Sequence, residues 1–236
     1  MTALEPFPED WHRALAVVAH PDDMEYGAAS AVAKWTSSGK WVGYVLVTRG
    51  EAGIASMPPE QASPLRVEEQ RRSCDAVGVE SLAFLDHPDG LVVADLVLRR
   101  DIAAAIRRHC PEVILSINYR DSWGGPSWNH ADHRHTGVAL LDAVRDAANP
   151  WVFSECGEAW GGVRGVAFSG SPSPTHFVDV TGWLDRGIES LRCHGTYLAN
   201  LGGDMSEPGA FLRESAVAAG SRAGVEHAVE FEVVAA

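Results

Sequence analysis

The chain has 236 residues, of which 46% are hydrophobic and 22% charged. That is the balance of a soluble packed globule, at the upper end of what a single α/β domain accommodates. Its formal charge of −13, with mostly arginine cations that are scattered along the chain, excludes nucleic acid and anionic membrane as natural partners. No apolar run approaches the ~18 residues of a membrane-spanning helix, and the acidic start MTALEPFPEDWHR lacks the apolar core of a secretory signal. A cytoplasmic protein without membrane insertion is expected, and a homo-oligomer is left open. Cys74, Cys110, Cys156 and Cys193 form no C-x-x-C pair, so they read as thiols rather than a zinc ribbon or a disulfide framework.

Taken in chain order, residues 13–19 (RALAVVA) are a short apolar run rich in strand formers, ending at His20-Pro21. The alanine-rich stretch 26–38 predicts a helix and 41–48 (WVGYVLVT) a second buried strand. A loop with Gly50, Gly53, Pro58 and Pro59 follows. Residues 64–77 predict a helix with Pro64 in its first turn, Val67, Cys74 and Val77 on its inner face, and Gly78 as its stop. Strands at 81–86 and 112–117 then flank a helix at 95–109. A helix at 132–147, a strand at 163–170 and helices at 182–194 and 208–219 complete the reading. Strands separated by helices predict a single domain, 1–236, folded as a three-layer α/β/α sandwich on a Rossmann-like, mostly parallel sheet. Such sheets bind ligands where loops converge at the carboxyl ends of the strands.

Two segments carry the chemistry. Ala19-His20-Pro21-Asp22-Asp23 directly follows the first strand. Imidazole nitrogen and carboxylate oxygen are both good zinc ligands, and a catalytic zinc takes three protein ligands plus water. His20 and Asp23 supply two, and Asp22 is placed to accept a proton. The plainer alternative is a turn in which Pro21 ends the strand and Asp22 caps the next helix. The second segment, Asn129-His130-Ala131-Asp132-His133-Arg134-His135, follows a Gly- and Trp-rich loop after the fourth strand. His130 and His133 are three apart, so they share one side of a helical turn. One is then a third ligand while the other faces substrate. The plainer alternative is an exposed, histidine-rich helix start with Asp132 as its cap. No G-x-G-x-x-G follows the first strand, which excludes a dinucleotide-binding domain.

The pair AHPDD and H-x-D-H resembles the LmbE/PIG-L family of metal-dependent de-N-acetylases. Its members include deacetylases of N-acetylglucosaminyl lipids, of mycothiol and bacillithiol precursors and of glycopeptide antibiotics, and an amidase of mycothiol conjugates. The resemblance extends through Thr48–Gly53, Arg66 and Glu69, Pro88-Asp89-Gly90 and Val178–Thr181, over about residues 13–232. It implies one Zn2+ per chain on His20, Asp23 and His133, with other divalent metals admissible. It makes Asp22 the general base. His130 then stabilises the oxyanion as an imidazolium or protonates the leaving amine.

Arg66 and Asp89 match positions that contact the sugar in relatives. Trp128 stands two residues before His130, where mycothiol-type deacetylases carry a tyrosine, and it joins them as an expected substrate contact. Met24, Gly27 and the segment His194-Gly195-Thr196-Tyr197 depart from the pattern, which points to a different substrate pocket. The implied activity is hydrolysis by metal-activated water of an N-acyl group, expected to be acetyl. The substrate is an amino-sugar-containing small molecule or secondary metabolite. An amidase of thiol conjugates and a non-catalytic sugar-binding accessory protein are the alternatives.

Overall fold

In the computed structural model, which describes residues 3–202 and 207–236, one eight-stranded sheet is covered by helices on both faces. In chain order the strands are β1 (Glu5–Pro6), β2 (Arg13–Val18), β3 (Trp41–Leu46), β4 (Ser81–Phe84), β5 (Val113–Ile117), β6 (Gly165–Ser169), β7 (His176–Asp179) and β8 (Ala228–Ala235). The helices are α1 (Asp23–Gly27), α2 (Ala29–Ser37), α3 (Pro59–Ala76), α4 (Leu96–His109), α5 (Ala131–Ala148), α6 (Leu184–Arg192), α7 (Gly195–Asn200) and α8 (Pro208–Ala223). The strand order is β1-β7-β8-β6-β5-β2-β3-β4. Every neighbouring pair is parallel except those made by β8, which runs antiparallel to both β6 and β7. The mostly parallel α/β/α sandwich is therefore the architecture observed.

Alternate residues of the central strands feed two cores, as the period of a strand requires. Ala14, Ala16 and Val18 of β2 pack with Val32 and Trp35 of α2 on one face. Leu15 and Val17 pack with Leu98, Ile102 and Ile106 of α4 and Leu140 of α5 on the other. On the first face α6, α7 and α8 add a separate apolar cluster around Leu184, Ile188, Leu191, Leu198 and Leu212. No helix among the described residues is long and apolar enough to cross a membrane.

Three local expectations are corrected. The helix expected over 26–38 is two helices, because Ala28 leaves helical conformation at φ −143°. Gly27 lies so close to β6 that a Cβ there would sit 2.2 Å from Ser169 Oγ. Pro64 is inside α3, and Pro59 occupies the first turn instead. The helix tolerates Pro64 because the carbonyl it leaves unpaired belongs to Glu60 in that exposed first turn. Finally, the inner face of α3 is polar: Arg66, Glu69, Gln70 and Ser73 are buried beside Cys74, while Val67 is only half-buried.

Successive strands from β2 run outward through β3 to β4, and β5 then returns to the opposite side of β2. The chain thus reverses its order between β2 and β5. A crevice opens there at the carboxyl ends of the two strands. Both segments singled out in the sequence enter it.

Candidate metal centre and active site

β2 ends in the turn that carries His20 and Asp22 into α1. Asp22 sits at φ 89°, a left-handed conformation that a residue with a Cβ occupies at a cost of about 1–3 kcal/mol. Several contacts hold it there. Its N–H donates to Gln70 Oε1 at 3.1 Å, and Arg66 Nη2 donates to Pro21 O at 2.5 Å and Asp22 Oδ1 at 2.8 Å. Asp22 stands at the N-terminal cap of α1, yet its side chain makes no capping bond. The carboxylate is turned towards Arg66.

From the other side of the crevice, Asn129 and α5 deliver His133. His20 Nδ1 faces His133 Nε2 at 3.1 Å, and Asp23 Oδ1 lies 3.1 Å from the same Nε2. One ligand atom from each of His20, Asp23 and His133 lies within 4.8 Å of the others. The outward edge of each ring decides its tautomer. His20 Nε2 faces Asp89 Oδ1 at 3.1 Å and Asp132 Oδ2 at 3.2 Å, so that nitrogen carries the proton. His133 Nδ1 faces Asn129 Oδ1 at 3.0 Å. The Asn129 amide nitrogen is committed to Asn118 O and Arg120 O, so its oxygen must be the acceptor. In the neutral rings that metal binding requires, both inward nitrogens are therefore lone pairs. They converge with a carboxylate on one point, an all-acceptor arrangement whose natural occupant is a cation.

The electrostatics agree. Burial opposes charge on His20, but Asp23, Asp132 and Asp89 outweigh it and raise the imidazole well above its ordinary value. Burial likewise opposes ionisation of Asp23, and the two histidines overcome it, holding the carboxyl well below the usual range. Burial pushes the Asp22 carboxyl up to about 6, against the pull of Arg66 and with Asp23 adding to the rise.

A second group, His20, His130 and Asp132, also brings ligand-type atoms together. Two of its members, His20 and Asp132, are already committed to each other and to backbone or metal-site partners. Asp132 is fully buried and accepts from Gly90 N at 2.7 Å and Val92 N at 3.2 Å, besides facing His20. It is not the cap of α5. That role falls to His130, whose Nδ1 accepts from Asp132 N at 3.2 Å. Asp132→Asn should accordingly weaken metal affinity by about 10–100-fold, the usual effect of losing a partner behind a ligand. Competition with a chelator measures it; complete loss of metal would make Asp132 a ligand.

Arg66 and Asp89, expected to touch the sugar, pack against the metal-site residues. Arg66 is 2% exposed, with Gly50 and Gly53 against one side of its guanidinium and the Tyr197 ring 3.8 Å away on another. A Cβ at Gly53 would come within 2.3 Å of Arg66 Nη1. This arginine closes over Asp22, with Nη1 on Gly50 O at 3.3 Å and Nη2 on Asp22. Asp89 uses Oδ1 on His20 and Oδ2 on Ala52 N at 2.8 Å, so it ties two loops to the back of His20. Trp128 is 67% exposed, with Arg134 over its ring at 5.1 Å. The aromatic that meets the metal residues is Trp123, edge-on to His133 at 5.7 Å.

Asn129, Asp132 and Gln70 are working parts of the site that sequence reasoning missed. Asn129 is four residues before His133, a spacing at which side chains meet at a helix start. Gln70 is met by no such signal. It bridges Asp22 N and Glu25 Oε1 (2.9 Å), and Ser73 donates to the same oxygen at 2.6 Å while contacting Ser190 of α6 at 2.7 Å. Burial pushes Glu25 up to about 7 and His194 beside it down to about 3. His194 is then a neutral support beneath the site, while Glu25 is only partly ionised near pH 7.

Residues 15–144 match PIG-L, the GlcNAc-PI de-N-acetylase family. The chain belongs to this family. Diacetylchitobiose deacetylase of Thermococcus kodakarensis is 29% identical over 95% of this chain and 83% of its own length. The 1D-myo-inositol 2-acetamido-2-deoxy-alpha-D-glucopyranoside deacetylase of Kineococcus radiotolerans is 26% identical over 78% of this chain and 68% of its own. The solved N,N'-diacetylchitobiose deacetylase from Pyrococcus horikoshii shares the fold at a TM-score of 0.85 and 23% identity. That match covers 96% of this chain and 85% of that one. Within the PIG-L family region fall all of His20, Asp22, Asp23, Arg66, Asp89, Trp128, His130 and His133.

Proposed function

We propose that this PIG-L protein is a zinc-dependent hydrolase that removes the N-acetyl group of an amino-sugar-containing small molecule in the cytoplasm. The observation that carries the reading is the convergence of three acceptor atoms beside an independently held carboxylate. His20, Asp23 and His133 are two imidazoles and a carboxylate, a borderline donor set that suits zinc. When bound, zinc polarises the amide carbonyl and makes water a usable nucleophile at neutral pH. The relatives deacetylate an N-acetylated glucosamine unit joined to quite different groups, which supports an amino sugar without specifying what it is attached to. Four free cysteines are compatible with a reducing compartment.

Asp22 takes the proton from the attacking water as oxygen bonds to the carbonyl carbon. Arg66 keeps its carboxylate aimed and partly ionised. When the C–N bond breaks, the same carboxyl returns the proton to the leaving amine, releasing acetate and the free amino sugar.

His130 serves as a neutral donor in this reading, a revision of the imidazolium expected from sequence. Its Nδ1 accepts from a backbone N–H, so the ring proton is on Nε2. Burial lowers its pKa, and the positive charge gathered at His20 lowers it further. Nε2–H then stabilises the developing oxyanion, a contribution of about 3–4 kcal/mol for one well-placed donor. His130→Asn, which preserves a good helix cap, should lower kcat about 10²–10³-fold with KM little changed and no change in the shape of the pH profile. Disappearance of an alkaline limb in the variant would restore the imidazolium role.

The test of the whole reading is release of acetate and amine from diacetylchitobiose and simpler N-acetylglucosaminides, set against cysteine-conjugate amides. Turnover of the conjugates alone would make the chain a thiol-conjugate amidase. No turnover of any amide by metal-loaded protein would make it a non-catalytic relative.

A further inference from the structure

The loops after β3 and β4 flank one side of the metal triad and are charged: Arg49 pairs with Asp86 at 2.5 Å, and Glu51 accepts from Asp89 N at 2.9 Å. The side towards β6 and β8 is different. A cavity of about 700 Å3 opens there, between α1, α6, α8 and the ends of β5, β6 and β8. Its walls include Ile117, Trp123, Leu184, Phe211, Leu212 and Ala216. Trp123 also stands edge-on to His133, and α1 begins with Asp23, so the cavity shares two walls with the metal site. Tyr26 and Phe211 meet edge to face at 5.8 Å within it.

The charged side chains lining it among the described residues are Glu25, Arg222 and Glu230. Glu25 is buried under Gln70 and Ser73. Arg222 and Glu230 neutralise each other through two bonds of 2.7 Å. No free cation is left among these to recognise a phosphate or a carboxylate. Pockets of about 300–1,000 Å3 enclose drug-sized ligands, so this volume far exceeds the need of an acetyl methyl group.

We infer that the cavity binds an aliphatic chain of the substrate, carried either on the acyl group or on the group joined to the sugar. The inference rests on the proposed amino-sugar hydrolase activity. It goes further in giving that substrate an amphipathic character: polar sugar towards the charged loops, apolar chain under α8.

Two substrate series test it. In one, glucosamine carries N-acyl groups from acetyl to octanoyl; in the other, N-acetylglucosaminides carry aglycones from methyl to octyl. In one series kcat/KM should rise by up to about fourfold per methylene, as burial of CH2 groups predicts, until the cavity is filled. The series that responds identifies which end of the substrate the cavity holds. Ala216→Trp and Ala219→Trp should abolish the gain, read as the ratio of the longest to the shortest substrate within each protein, so that any general loss of activity cancels. A flat response in both wild-type series, with the acetylated sugar still turned over, overturns the cavity assignment and leaves the proposed reaction standing. If no amide is hydrolysed, calorimetry with octyl glucoside below its micelle concentration decides. Binding by the zinc-loaded protein that weakens in Ala216→Trp sustains the assignment, and no binding by wild type overturns it.

Discussion

Asp22→Asn is expected to lower kcat by about 10²–10⁴-fold, the range for loss of a positioned general base, while the metal stays at wild-type occupancy. Asparagine keeps an oxygen for Arg66 Nη2, which now lies 2.8 Å from Asp22 Oδ1. The turn and the buried guanidinium therefore keep their hydrogen bond, and the loss is confined to proton transfer. The pH profile sharpens the test. The base works ionised, so activity must fall as pH drops through its pKa. Burial raises that pKa to about 6 in the metal-free chain. A cation on the neighbouring ligands favours the charged carboxylate, so the acid limb of kcat/KM should lie at or below about 6, and the variant should lack it. Elemental analysis beside the kinetics separates the outcomes. Metal and turnover falling together would make Asp22 a ligand.

The second large effect is expected at the ligands. His133→Ala leaves His20 and Asp23 as a two-donor site, too few for a catalytic zinc that normally keeps three protein ligands. Metal content after dialysis should fall to near zero, and turnover by about 10³-fold or more, since several kcal/mol of transition-state stabilisation go with the cation. His20→Ala should match it. The His133 change reads more cleanly, because His20 also receives Asp89 and Asp132 on its far edge. Folding stability gives an independent measurement: a chelator should lower the Tm of wild type and leave that of His133→Ala unmoved, because only wild type gains stability from a bound ligand. Unchanged metal in both histidine variants would sink the assignment.

Much of this site is legible in the amino-acid sequence. A carboxylate pair next to histidine at a strand end, and two histidines three apart after another strand, name the chelating atoms by chemical type. The alternation of strand and helix places both at one edge of the sheet. What the sequence leaves open is where each long side chain points.

Arg66 matches a sugar-contacting position by its place in the family pattern. The structure makes it a buried ion pair with Asp22, because the polar face of α3 is turned inward by Gln70, Ser73 and their bonds to Glu25 and Ser190. Residues far apart in the chain make those bonds, and no local periodicity reports them. Asp132 reads as a helix cap by position. Burial against Gly90 and Val92, some forty residues earlier in the chain, makes it the support of His20 instead. The antiparallel β8 and the cavity under α8 belong to the same class.

The sequence by itself determined the α/β architecture and named the candidate ligands and the candidate base by type, since these depend on spacing and donor chemistry. Tertiary structure alone decided the histidine tautomers, the burial of Arg66 and the apolar room beside Trp123. Each of these depends on which distant groups fill the space around a side chain, and packing is what settles that.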